Sequence, residues 1–170
     1  MDITQLILDD HHEQRRLFAM LEELDRTDTD RLGAIWGRLS AFLEVHAEAE
    51  EEVFYPELLK LGEHTGAEQG ATDETKDAVK DHNEIRDAVA AVGRHPVGSD
   101  EWFAAVAAAN KANGDHMAEE EREGLTDFRR SMSLQRRHDL AVAFAAFEAT
   151  HVTGVPAVDK DPAQYVRENE

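Results

Sequence analysis

HAEAEEEVFYP, residues 46–56, sets one histidine ahead of four glutamates and closes on a tyrosine and a proline. HMAEEERE, residues 116–123, nearly repeats it. Both read His-x-x-x-Glu-Glu, pairing His46 with Glu50 and His116 with Glu120. With nine histidines and 37 acids in 170 residues, about two such pairs arise by chance. Three occur, the third being His64 with Glu68. The spacing alone decides nothing, so the pairs have to be told apart by the pattern around them.

Working outward from His46, apolar residues step by three or four through Leu32, Trp36, Leu39 and Leu43, and the stripe continues through His46 and Glu50 to Val53. This predicts a helix over about 29–61, with Asp30 as a plausible cap and Pro56 kinking it or removing one turn's hydrogen bond. His116 and Glu120 sit in a second such pattern, Trp102, Val106, Ala109, Asn113, His116, Glu120 and Gly124, which runs to about Arg130. Ser99 caps that helix, and Glu101 lies in the first turn, where the helix dipole favours an anion. A helix over about 2–25 carries Ile3, Ile7, His11, Gln14, Phe18, Leu21 and Leu24 on one stripe, and another over about 73–92 carries Val79, His82, Ile85, Val89 and Val92. The glycine-rich segment 62–72 reads as a loop. A shorter helix follows Ser133, anchored by Leu140, Phe144 and Phe147, and the tail from Val152 reads as irregular.

No strand alternation competes with these patterns. The expected fold is all-α: an antiparallel four-helix bundle over residues 1–130, with residues 131–170 adding a C-terminal helix and irregular tail packed on the same domain. A length of 170 residues suits one such core.

Each of the four long helices places one histidine on its own stripe: His11, His46, His82 and His116. Residues four apart are separated by about 6 Å along the axis and share a face, so Glu50 and Glu120 turn inward with their histidines. The pair His64–Glu68 lies on no stripe. His12 faces away from its stripe, and His95, His138 and His151 fall outside the bundle pattern, so these are read as solvent-facing or ordinary packing residues. A single inward histidine is commonly just a satisfied core residue. An inward carboxylate is costly unless its charge is met. Protonating both acids is one way to meet it, and binding cations is another that uses every donor.

Four imidazoles and two carboxylates without sulfur suit iron, manganese or zinc. Six donors are too many for one tetrahedral zinc. They fit two metals about 3.5–4 Å apart if both glutamates bridge. The neighbouring acids Glu51, Glu52, Glu119 and Glu121 read first as solvated helix faces, with hydrogen bonds to the ligands as the alternative.

A net charge of −19 argues against nucleic acid and anionic membranes as partners and favours a monomer. There is no cysteine, hence no disulfide and no thiolate metal site. No apolar run approaches the roughly 18 residues of a membrane span, and acids occupy the start where a signal peptide is basic. The expected location is cytoplasmic.

The segments LDDHHEQRRLF, HAEAEEEVFYPEL, KDHNEIR and DHMAEEE resemble the hemerythrin family, in particular the hemerythrin-like HHE cation-binding domain, over about residues 3–130. In that family the first ligand directly follows an acid, which matches Asp10–His11 rather than His12. The resemblance implies a four-helix bundle around two non-haem irons, oxo- or hydroxo-bridged, held by His11, His46, Glu50, His82, His116 and Glu120 and reacting with O2 or its reduction products. Oxygen-carrying members have a further histidine one turn after the third-helix ligand. Arg86 stands there in this chain, and the exchange points away from simple O2 carriage. Some family members with this reduced ligand set decompose hydrogen peroxide, and others sense oxygen or iron.

Three function classes follow: catalase-like peroxide decomposition, which is favoured; binding or sensing of O2 or NO; and iron homeostasis. One two-iron site stores little iron, and a sensor needs an output module that the sequence does not display. Two further residues belong to the candidate site. Tyr55 is either a core aromatic or a phenol beside the irons, as hydrogen-bond donor or ligand. Arg86 is either a solvated helix-face residue or a counter-charge for the surplus carboxylates.

Overall fold

The computed structural model describes residues 1–170 and contains helices and no strand. Five helices carry the pattern read from the sequence: α1 (Ile3–Glu23), α2 (Thr29–Ala49), α3 (Tyr55–Thr65), α4 (Glu68–Val92) and α5 (Asp100–Arg122). Three more follow: α6 (Gly124–Ser131), α7 (Leu134–Thr150), which is the shorter helix expected after Ser133, and α8 (Pro162–Asn169). Short polar side chains start most of them. Asp2, Asp28, Ser99, Ser133 and Asp161 each accept a backbone N–H from the first turn. The cap of α2 is therefore Asp28, not Asp30. No helix is long and apolar enough to cross a membrane.

The expected single helix over 29–61 is two helices joined by a π-turn, Glu50–Phe54. The Tyr55 N–H bonds the Glu50 carbonyl five residues back. The extra residue in that turn advances the register by one position. Val53, expected on the stripe, is only partly buried, while Phe54 and Tyr55 are fully buried. The turn also leaves the Glu51 carbonyl without a main-chain donor: Tyr55 N–H is taken, and Pro56 has none.

The loop expected over 62–72 is largely helical. Gly62 lets α3 and α4 approach, because a side chain there would put its Cβ 2.6 Å from Ala71 Cβ. Gly66, with φ 77°, makes the one sharp turn between them. The helix expected to reach Arg130 breaks at Glu123, and α6 continues in a new direction. The tail is irregular only to Asp161, after which Asp161 and Pro162 start α8.

Two separate apolar clusters form. One gathers Leu17, Phe18, Leu21, Leu32, Trp36, Leu39 and Trp102. The other gathers Ile3, Ile7, Phe54, Leu58, Val79, Phe128 and Phe144, with Tyr165 and Val166 from α8. α7 packs on α1 and α2, and α8 packs on α4. Between the clusters lies a layer of buried polar side chains: His11, His46, Glu50, His82, His116 and Glu120.

Candidate metal centre

These six side chains meet at one place. Glu50 is the pivot: its Oε1 lies 2.9 Å from His46 Nε2 and 3.9 Å from His11 Nε2. Its other oxygen lies 3.2 Å from His82 Nε2 and 3.9 Å from His116 Nε2. Two ligand groups result, His11–His46–Glu50 and Glu50–His82–His116. Glu120 leans to the first, with Oε2 3.3 Å from His11 Nε2, while its Oε1 accepts a 2.8 Å hydrogen bond from Tyr55 Oη. Contact with both histidine pairs is thus seen for Glu50 and not for Glu120.

Each imidazole has a carboxylate behind it. Glu121 and Glu51 make hydrogen bonds of 2.9 and 2.7 Å with Nδ1 of His11 and His82. Asp10 lies 3.3 Å from His46 Nδ1, and Asp81 lies 3.7 Å from His116 Nδ1. At His11 and His82 the hydrogen-bonded carboxylate fixes the Nδ1 proton and turns the Nε2 lone pair inward, the arrangement that suits metal ligation. At His46 and His116 the carboxylate stands near Nδ1 as a charge without a hydrogen bond. With the four rings neutral, four lone pairs and two carboxylates converge in a buried interior. Nε2 of His11 and His46, both oxygens of Glu50 and Oε2 of Glu120 are buried without a hydrogen-bond partner. Nε2 of His82 and His116 face each other at 3.1 Å, and once both rings are neutral, as metal binding requires, these two lone pairs cannot satisfy each other. Cations bound here would satisfy all of them, and the two residue groups fit a pair of metal ions.

Electrostatics agree. Burial acts to raise the Glu50 pKa, but the charge on His46 and the contacts with His116 and His82 outweigh it and hold the carboxyl well below its usual range. Burial acts to lower the His46 pKa, and the charges of Glu50 and Asp10 reverse this. The pivot carboxylate therefore stays anionic, ready to accept a cation.

A family comparison decides the class. The model of the hemerythrin HHE cation-binding domain matches residues 2–126. The chain belongs to this family. No curated protein and no solved structure gives a significant match. Hemerythrin HHE domains are cation-binding by description, and here the matched region contains all six converging side chains. The five other histidines stay out of the centre. His12, His64 and His138 are exposed, and His95 and His151 are partly exposed.

Two acids read first as solvated prove to belong to this hemerythrin-type centre. Glu51 is buried and Glu121 half-buried, because the helix turns that bring Glu50 and Glu120 inward leave their neighbours facing the adjacent helices. Glu52 and Glu119 are exposed, as expected. Arg86 is no solvated residue either. It is buried, with its guanidinium 3.0 Å from Glu51, 3.4 Å from Glu44 and 3.6 Å from Glu48. The same pattern recurs at Glu121, which takes both His11 and Arg15 at 2.9 and 2.7 Å. A usable signal existed in the sequence. His11–Arg15 and His82–Arg86 share a four-residue spacing, each opposite a Glu-Glu pair.

Proposed function

We propose that this chain is a non-haem di-iron protein that decomposes hydrogen peroxide, two molecules giving two of water and one of O2. His11, His46 and Glu120 would hold one iron and His82 and His116 the other, with Glu50 within reach of both pairs. The helices that carry these ligands form an antiparallel four-helix bundle, α2 and α3 together counting as one rod. When bound, two irons would store the two electrons that one peroxide gives up in becoming O2 and pass them to a second, which takes two protons and becomes two waters.

Arg86 carries this reading. Its side chain is spent on Glu44, Glu48 and Glu51 and offers no lone pair. The chain thus lacks, on the His82 side, the extra imidazole that closes the site of an oxygen carrier. A cavity of about 40 Å³ reaches His116, Glu120 and Tyr55 between α4 and α5, room for one small molecule. Its lining includes Asp77, Asp81, Glu119 and Glu123. These carboxylates disfavour anions, so the cavity suits a small uncharged molecule such as hydrogen peroxide.

Two side chains at the cavity carry protons. Burial, with the charges of Glu120 and Glu50, holds the Tyr55 phenol well above its ordinary pKa, so its Oη keeps the proton that it donates to Glu120. Burial, followed by the charges of Glu120, Glu123 and Asp127, pushes Glu74 up to about 8. In the metal-free chain Glu74 therefore holds a carboxyl proton at neutral pH, at the wall of the cavity where a bound molecule could exchange it.

The test is an oxygen-electrode trace. Hydrogen peroxide added to the diferric protein should release O2, and the diferrous protein should autoxidise. No O2 release, together with a reversible O2 spectrum, would give the protein to the O2-binding class instead.

A further inference from the structure

We propose that Lys160 and Tyr165, which lie beyond the region shared with the family, are positioning residues for the metal centre: they hold Glu51, and through it the His82 imidazole. This rests on the reading of His82 as a metal ligand.

The two halves of the centre supply an internal comparison. Glu121 pairs with His11 and Arg15, and Glu51 pairs with His82 and Arg86. The first carboxylate keeps 29% of its side-chain surface exposed, and the second keeps none. The C-terminal segment makes the difference. Lys160 Nζ lies 2.6 Å from Glu51 Oε2 and 2.9 Å from Glu48 Oε1. Oε2 has no aligned hydrogen bond, so this ionic contact is what compensates it.

An ordinary surface ion pair is the plain alternative, and such a pair joins two mobile side chains. Here the main chain is fixed as well. Asn83 Nδ2 donates to the Lys160 carbonyl at 2.8 Å, and the Lys160 N–H donates back to Asn83 Oδ1 at 3.1 Å. Asn83 directly follows His82, and its Oδ1 also accepts from Arg86 at 3.1 Å. From α8, the Tyr165 hydroxyl donates to the Glu51 carbonyl, the one that the π-turn and Pro56 leave without a main-chain donor. Glu51 is thus held at its backbone by Tyr165 and at its carboxylate by Arg86 and Lys160. A carboxylate that cannot swing keeps the Nδ1 proton of His82 in place and the Nε2 lone pair aimed at the centre. On the His11 half, the Glu121 carbonyl accepts from Thr126, five residues on, at 3.2 Å, and its carboxylate has Arg15 as its one cation; no C-terminal residue reaches it.

The test uses the full chain loaded with iron, comparing wild type, Lys160→Met, Lys160→Arg and Tyr165→Phe. Three quantities are read: the rate of iron release to a ferrous chelator, the midpoint potential, and the melting temperature of the metal-free protein. Lys160→Met should release one of its two irons about tenfold faster, the low end of the effect of losing a ligand's supporting contacts. The other iron should leave at the wild-type rate, and the potential should shift. Lys160→Arg should restore both readings. Tyr165→Phe removes only a hydroxyl and should quicken release of the same iron, so it carries the test if Lys160→Met does not fold. Wild-type release rates and potential in Lys160→Met or, failing that, in Tyr165→Phe would reduce the clasp to a structural contact, even if the melting temperature falls. A wild-type protein that binds no iron would overturn the metal reading and the clasp together. Two tightly held irons, indifferent to these substitutions, would overturn the clasp alone.

Discussion

Tyr55 Oη donates a 2.8 Å hydrogen bond to Glu120 Oε1, and both side chains are buried. The bond ties the first residue of α3 to α5 across the centre, and it exists because the π-turn swings Tyr55 inward. Tyr55→Phe leaves one oxygen of a buried carboxylate unpaired. Hydrogen bonds to charged groups contribute about 1.5–3 kcal/mol, and a loss of this size is expected in urea unfolding of the metal-free protein. Two irons should still bind, while O2 release from peroxide slows.

Glu50 serves both histidine pairs, and Glu120 touches only the first. Glu50→Ala should therefore lose both irons, and Glu120→Ala should keep about one per chain, held by His82 and His116. His64→Ala, altered on an exposed stretch of α3, should keep two. Elemental analysis after purification from iron-replete cells separates these cases. Equal losses in all three would contradict the geometry.

The site has a definite pH signature. In the metal-free chain, burial acts to lower the His116 pKa, but Asp81, Glu50 and Glu120 overcome it and raise the imidazole to about 10. A raised folded-state pKa adds stability that is complete below the ordinary value near 6.5 and is lost as pH climbs towards 10. Glu74, pushed up to about 8, acts in the same direction from its ordinary value of 4.5. The melting temperature of the metal-free protein should thus fall from neutral to alkaline pH. Metal binding needs neutral imidazoles, so iron uptake near pH 7.5 should release protons, visible with an indicator dye in weak buffer. Acid should strip the metal. A melting temperature that rises from pH 6.5 to 10 would sink this account.

Arg86 is buried among Glu44, Glu48 and Glu51. Removing one partner from a buried ion cluster costs about 3–5 kcal/mol. Lys160 still compensates Glu48 and Glu51, so Arg86→Met should fall near the lower end, about 3 kcal/mol, read as a shift of the denaturant midpoint. Arg15→Met, on the half-exposed counterpart, should cost well under half as much.

Much of this molecule could be read from its periodicity. The apolar stripes locate the long helices, and extending them through His11, His46–Glu50, His82 and His116–Glu120 finds the six converging side chains. Ser99 and Ser133 start α5 and α7 as capping chemistry predicts. What escaped the reading depends on contacts between segments. A 3.6-residue stripe continues smoothly to Val53 and gives no sign of the π-turn that exchanges Val53 for Phe54 and Tyr55. The glycines of 62–72 suggested a loop, but Gly62 is there for helix packing. Glu51 looked like one more solvated acid because its partners, His82, Arg86 and Lys160, come from positions 31 to 109 residues away. Nothing in the irregular run before Asp161 announces that Lys160 reaches the centre.

The polar layer lies between two apolar clusters that do not merge. Continuous apolar packing is what lets a small domain open as a single unit, and in this chain that continuity is interrupted by carboxylates and imidazoles. Ions bound across the layer would act as rivets between two half-cores. Stripped of them, the chain should no longer melt as one body: amide exchange would sort into two groups with distinct opening energies, one for the Trp36–Trp102 end and one for the Phe54–Phe128 end. The centre built for chemistry would then also be the joint that makes the molecule mechanically whole.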